Sequence, residues 1–173
     1  RLQMHSALRE ALALNAFELH YQPQFHLQSG DLVGLEALIR WWRTPNDLAM
    51  PGDFLAELEH SGLVYEVGAW VIEEACCSAQ TWRGTLGKSR VAVNVSASQL
   101  QREGFIGQVH SALDSSGLSP ERLELEITEE SLLDDREVAI RTLLALREIG
   151  VRVVMDDFGT GYSSMDYLRR YPV

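Results

Sequence analysis

The chain has 173 residues, 46% hydrophobic and 23% charged, which fits a soluble globular domain with one core or a piece of a larger one. Its formal charge of −10, from 25 acids against 15 Lys and Arg, argues against non-specific duplex binding, which relies on cationic side chains neutralising phosphates. No apolar run approaches the roughly 18 residues of a membrane span, so neither a span nor a secretory leader is expected within these residues.

Arg1 to Asn15 reads as a short amphipathic helix with Leu2, Leu8 and Leu12 on one side. Phe17 to Gln22 alternates as a strand that Pro23 ends, and Ser29-Gly30-Asp31 turns the chain into a second strand over Leu32 to Trp41. Pro51 opens a helix through His60 that Gly62 closes, and a long helix follows from Val64 to Trp82. Strand Val91 to Ser96 precedes a helix over Ser98 to Ser116 ended by Gly117. Strand Leu123 to Thr128 precedes a helix over Ser131 to Ile149 ended by Gly150. Strand Val151 to Asp156 leads through a Gly-rich loop to a helix near Ser163 to Arg170. Strand starts recur about every thirty residues, the size of a βαβ unit, which predicts a parallel α/β fold. Both ends, Arg1 and Tyr171-Pro172-Val173, read as cut, so the chain is expected to be one incomplete domain.

Side chains alternate faces along a strand. Val91, Val93 and Val95 oppose Ala92, Asn94 and Ser96; Leu123, Leu125 and Ile127 oppose Glu124, Glu126 and Thr128. Val151, Val153 and Met155 oppose Arg152, Val154 and Asp156, and Val33, Leu35, Ala37 and Ile39 oppose Gly34, Glu36, Leu38 and Arg40. Glu36, Asn94, Glu126 and Asp156 therefore share one face near the strand C-terminal ends. A doubly wound sheet would bury these acids under helices, whereas a barrel points them into its mouth, where TIM-barrel active sites lie. At matching heights on successive strands they would converge on one or two small cations. Three carboxylates and an amide oxygen are a hard ligand set suited to Mg²⁺ or Mn²⁺, and Asp157 follows for a second ion. A single acid at a strand end more often caps a helix or is solvated, and Thr128-Glu129-Glu130-Ser131 has capping chemistry for the next helix. Four aligned ligands are harder to explain that way.

Glu36-Ala37-Leu38 with Ile39-Arg40-Trp41, preceded by Tyr21-Gln22-Pro23, resembles the signature of the EAL domain family. So do Asn94-Val95-Ser96 with Gln99-Leu100, Leu123 to Glu129, and Asp156-Asp157-Phe158-Gly159-Thr160-Gly161-Tyr162-Ser163-Ser164. All four blocks stand in order along nearly the whole chain. The resemblance implies a TIM-like (β/α) barrel, incomplete at its C-terminal side with about five of eight strands present. It makes 1–173 the N-terminal two-thirds of a single EAL domain, with 1–15 a connecting helix and 16–173 barrel. It implies hydrolysis of cyclic di-GMP to linear pGpG in bacterial second-messenger signalling. Glu36, Asn94, Glu126, Asp156 and Asp157 would bind two metal ions, Mg²⁺ or Mn²⁺, that activate a water and offset charge at phosphorus. Glu36, Asp156, Asp157 and Glu129 would be catalytic, Glu129 as anchor of the loop Phe158 to Ser164. Gln22, Leu38 and Arg40 would line the nucleotide site, the Arg40 fork suiting a phosphate or a guanine edge unless a nearby acid claims it. The alternative is a receptor that binds cyclic di-GMP without cutting it. A third reading is a scaffold that binds no nucleotide.

The resemblance also implies a GGDEF or sensory domain ahead of this one and a homodimer, while the adjacent cysteines, read as reduced, suggest a cytoplasmic location with any membrane anchor elsewhere in the parent. A lysine, a glutamate and a glutamine of the family's site would lie beyond Val173, so the 173 residues alone are expected to be catalytically poor. The remaining conspicuous residues read blandly. Trp41, Trp42, Trp70 and Trp82 suit core or interface, the five histidines lack metal-ligand spacing, and Glu73-Glu74 suits a solvated helix face. Cys76 and Cys77, adjacent in a helix, suit reduced core thiols and not a disulfide.

Overall fold

The computed structural model describes residues 2–128 and 136–156. Helix α1 (Leu2–Ala13) leads into β1 (Phe17–Phe25) and β2 (Leu32–Thr44), and a tight turn adds the short β3 (Asp47–Ala49). A 3₁₀ turn at Pro51–Asp53 precedes α2 (Leu55–Ser61) and the long α3 (Val64–Thr81). Then come β4 (Arg90–Val95), α4 (Ala97–Leu100), α5 (Phe105–Ser116), β5 (Leu123–Thr128), α6 (Arg136–Ile149) and β6 (Arg152–Asp156). Among the described residues no helix is long and apolar enough to cross a membrane.

The sheet runs β1-β2-β4-β5-β6, with β3 paired to the free end of β2. Along β2-β4-β5-β6 the pairing is parallel, as expected, but β1 and the short β3 both pair antiparallel with β2. The link from Phe25 to Leu32 is too short for a crossover, and only an antiparallel pair closes over so few residues. Pro23 does not end the first strand: it lies within β1, opposite Leu35, at the edge of the described sheet, where a missing N–H is tolerated. The expected helix over Ser98 to Ser116 is two helices, parted at Gly104, whose φ of 96° no ordinary residue adopts easily. The segment 129–135 and everything from 157 onward, including Glu129, Asp157, the glycine-rich loop and the expected last helix, lie outside the described residues.

Helices cover one face of the sheet. Val91, Val93, Val95, Leu123, Leu125 and Ile127 are all at most 3% exposed and join one core with α3, α5 and α6. Along α6, Ala139, Leu143 and Leu146 recur at i, i+4 and i+7 and are fully buried, the stripe of a helix lying on a sheet. Each such leucine contributes about 1.5–3 kcal/mol by leaving water. Phe17, Trp41, Phe54 and Trp70 form an aromatic cluster beneath α2 and α3, with centroids 5.8–6.3 Å apart in four of their pairs. Trp82 meets Tyr21 edge-on, so three of the four tryptophans are core residues and Trp42 is 37% exposed. Glu73 and Glu74 lie on the solvent side of α3, as expected. Cys76 is buried but Cys77 is exposed, because consecutive helical residues point about 100° apart; both thiols are free. The opposite face of the sheet carries the polar residues Glu36, Asn94, Glu124, Glu126, Arg152 and Asp156. This is the wall of a TIM-like barrel, seen here through its first strands.

Candidate active site

Paired residues on neighbouring strands share a face, so the register states which side chains meet. Glu36 pairs with Ala92, Ala92 with Glu124 and Glu124 with Arg152. Asn94 pairs with Glu126, Glu126 with Val154, and Thr128 with Asp156. All four expected ligands therefore lie on the interior face. Along the ladder they are staggered: Asn94 and Glu126 stand two residues further on than Glu36, and Asp156 two residues further on than them. Each step is roughly 6.6 Å, twice the rise per residue of a parallel strand. Closing a barrel tilts the strands and shears their register, so side chains offset along the ladder can still converge.

Long side chains cross these steps. Asn94 Nδ2 donates to Glu36 Oε1 at 2.7 Å. Gln24 Nε2 donates to Glu126 Oε1 at 2.9 Å, from β1 to β5. Two amides thus hold the two carboxylates. Glu126 is only 8% exposed, and its carboxyl is pushed up to about 7. Burial is the main cause; the Gln24 hydrogen bond opposes it, and the charges of Glu36, Asp156 and Glu124 add to it. A cation at this spot would relieve both the burial and the repulsion. With Glu36, Asp156 and the Asn94 amide oxygen the donors are all hard oxygens, so the set fits a small divalent ion. Among the described residues no three His, Cys, Asp or Glu side chains are already gathered as a metal cage.

The nucleotide-site residues divide. Leu38 lines a cavity of about 300 Å³ together with Asn94, Glu126, Thr128, Leu55 and Val67. Gln22 is exposed and pairs with Glu36 across the β1–β2 ladder. Arg40 is 9% exposed and donates through Nη1 to the Ile39 carbonyl at 2.9 Å, so its described partner is backbone and not an acid.

Just above the strand ends, Ser96 caps α4. Its hydroxyl accepts from the Gln99 N–H, and the Gln99 side chain accepts from the Ser96 N–H at 3.1 Å. Below the acids lies a layer that sequence reasoning left without a role. Glu124, 6% exposed, has Oε2 3.1 Å from both Arg90 Nε and Arg152 Nε. The Arg152 contact is a hydrogen bond, while Arg90 Nε is close without hydrogen-bond alignment. Alternation along the strands already put Glu124 and Arg152 on this face. Gln24 was overlooked too, although it stands two residues from Gln22 and so shares its side of β1.

The EAL domain family matches residues 5–173. The cyclic di-GMP phosphodiesterase NbdA of Pseudomonas aeruginosa is 42% identical over 173 residues, covering 99% of this chain and 22% of that protein. The bifunctional diguanylate cyclase/cyclic di-GMP phosphodiesterase MucR of the same organism is 40% identical, covering 99% of this chain and 25% of that protein. A solved structure of the MucR phosphodiesterase in complex with c-di-GMP superposes with a TM-score of 0.92 at 40% identity, over 99% of this chain and 70% of that one. The chain thus spans about a quarter or less of the length of these two relatives.

Proposed function

The chain belongs to the EAL domain family, and we propose that the domain it helps to form hydrolyses cyclic di-GMP to linear pGpG with Mg²⁺ or Mn²⁺. The observation that carries this reading is the pair of amide-held carboxylates, Glu36 and Glu126, on the barrel's interior face at the C-terminal side of the sheet. Glu36, Asn94, Glu126 and Asp156 would hold the first ion, and Asp157 would serve a second. Bound there, the ions supply Lewis acidity that activates a water and offsets charge at phosphorus.

The chain's own residues do the rest. The interior face excludes bulk water around Glu126, which strengthens every charge interaction there. Leu38 offers an apolar wall to a base, and the Arg40 donors not spent on Ile39 suit a phosphate or a guanine edge. Gln22, beside Glu36, would reach the nucleotide from β1, and Glu129 would anchor the loop that follows Asp157.

A receptor that holds the messenger without cutting it is the second reading. Relatives named for two activities in one long chain support a GGDEF or sensory domain ahead of α1. A cytoplasmic location and a homodimer complete the proposal.

Chromatography of cyclic di-GMP incubated with the full-length protein and Mn²⁺, beside a Glu36→Ala control, tests the assignment. Metal-dependent pGpG that disappears in the control supports the phosphodiesterase. Unchanged substrate bound by a folded protein selects the receptor.

A further inference from the structure

Gln24 lies outside the sequence blocks that mark the family, yet its side chain reaches the centre of the site. β2 and β4 separate β1 from β5, and the Gln24 amide bridges them to donate to Glu126 Oε1 at 2.9 Å. The bridge exists because of Gly34. Gln24 pairs with Gly34 in the β1–β2 ladder, and a Cβ at position 34 would lie 2.9 Å from Gln24 Oε1 and 3.2 Å from the Arg90 carbonyl oxygen. Real Cβ atoms essentially never come as close as the first of these. Any side chain at 34 would therefore push the Gln24 amide off its path. Ala92, the β4 residue level with Glu36 on the same face, is likewise small.

We infer that Gln24 is a positioning residue for metal binding, seated across Gly34 so that it grips one oxygen of Glu126 from the floor side and leaves the other for the ion. The direction follows from the register. Gly34 stands two residues before Glu36 in β2, so the Gln24 amide approaches from the N-terminal side of the parallel strands, and their C-terminal ends lie on the far side of Glu126. Gln24 touches neither ion nor substrate; it fixes the orientation of the carboxylate that does. Partners of this kind, hydrogen-bonded to a metal ligand, are worth about 10- to 100-fold in metal affinity.

This inference rests on the metal-dependent reading above, and the experiment separates the two. Mn²⁺ is titrated calorimetrically into the full-length protein, into Gln24→Met, into Gly34→Ala and into the double variant, with folding checked by circular dichroism. Gln24→Met keeps side-chain length and removes the donor. The expected result is a Kd for Mn²⁺ raised by about tenfold or more in each single variant, and no further loss in the double variant, since both changes remove one bond. Hydrolysis by Gln24→Met should recover when Mn²⁺ is raised in proportion to its Kd, which damage to packing alone would not allow. A Gln24→Met protein that binds Mn²⁺ as the parent does overturns the positioning role, and additive losses in the double variant overturn the role of Gly34. If Gln24→Met does not fold, Gly34→Ala alone still decides, because an unchanged Kd there overturns the inference. Failure of the parent itself to bind Mn²⁺ overturns the metal reading and this inference with it.

Discussion

Asn94 Nδ2 donates to Glu36 Oε1 at 2.7 Å although Asn94 stands level with Glu126 and two residues above Glu36 in the register. An amide has a donor and an acceptor end, and only the acceptor can bind a cation. Here the donor end faces the carboxylate and substitutes for part of the charge a metal would supply; binding requires the amide to present its oxygen instead.

Asn94→Asp should therefore change the protein in opposite directions with and without metal. Without metal it sets a second negative charge within hydrogen-bonding distance of Glu36, and the melting temperature should fall. With Mn²⁺ the extra carboxylate is a stronger ligand, so the metal-induced rise in Tm should exceed that of the parent. Thermal scans in chelator and in Mn²⁺ measure both. Glu36→Ala, by contrast, should lower the rate of cyclic di-GMP hydrolysis at least about 100-fold, the upper end of what even an outer partner of a metal ligand costs.

Glu126 predicts how stability depends on pH. Its carboxyl is raised to about 7 in the fold, so the folded state holds a proton that the unfolded chain releases near the ordinary carboxylate value. A raised pKa gives stability that is fully present below the unfolded value and is lost as pH climbs through the folded one. Metal-free protein should lose Tm between about pH 5 and 8. Mn²⁺ competes with that proton, so its stabilising effect should grow over the same range. Glu126→Gln should flatten the metal-free profile and remove the response to Mn²⁺. A metal-free profile equally steep in parent and variant would assign the pH dependence to other groups.

The face that carries the acids was legible in the sequence because parallel neighbours keep their parity: Glu36, Asn94, Glu126 and Asp156 are all on the polar side of otherwise apolar strands. Their stagger was not legible, since shear is a property of the closed wall and of no strand alone. The direction of β2 was available from the shortness of the Phe25 to Leu32 link, but the thirty-residue rhythm of the later units hid it. Gln24 escaped notice for a different reason. Its partner lies three strands away, and local spacing says nothing about contacts across the interior.

Gly68 should be intolerant of any side chain. A Cβ there would collide with the end of the Gln99 side chain, which is 5% exposed and held by the Ser96 cap of α4. Moving the Gln99 side chain breaks its half of the capping box, the bond from the Ser96 N–H, worth about 1 kcal/mol at most, and overpacks a filled site at a further cost of about 1–3 kcal/mol. Gly68→Ala should thus destabilise clearly in chemical denaturation, and Gln99→Ala in the same background should relieve part of the loss. Strict additivity of the two changes would show that the contact between Gly68 and Gln99 is not the cause.

The floor of the barrel yields the sharpest contrast between neighbours. Glu124 is buried between two guanidinium groups, whereas the Arg152 side chain is 54% exposed and the Arg90 side chain 31%. Removing Arg152 takes the hydrogen-bonded cation from a buried carboxylate and leaves it with Arg90 alone, and an under-compensated buried charge is what makes breaking a buried pair costly, about 3–5 kcal/mol at most. Removing the acid leaves two guanidinium groups that water already reaches, for which surface ion pairs suggest less than about 1 kcal/mol. Arg152→Ala should therefore lower stability more than Glu124→Gln in urea unfolding. Equal losses from the two variants would mean that Glu124 is held by something other than its two arginines.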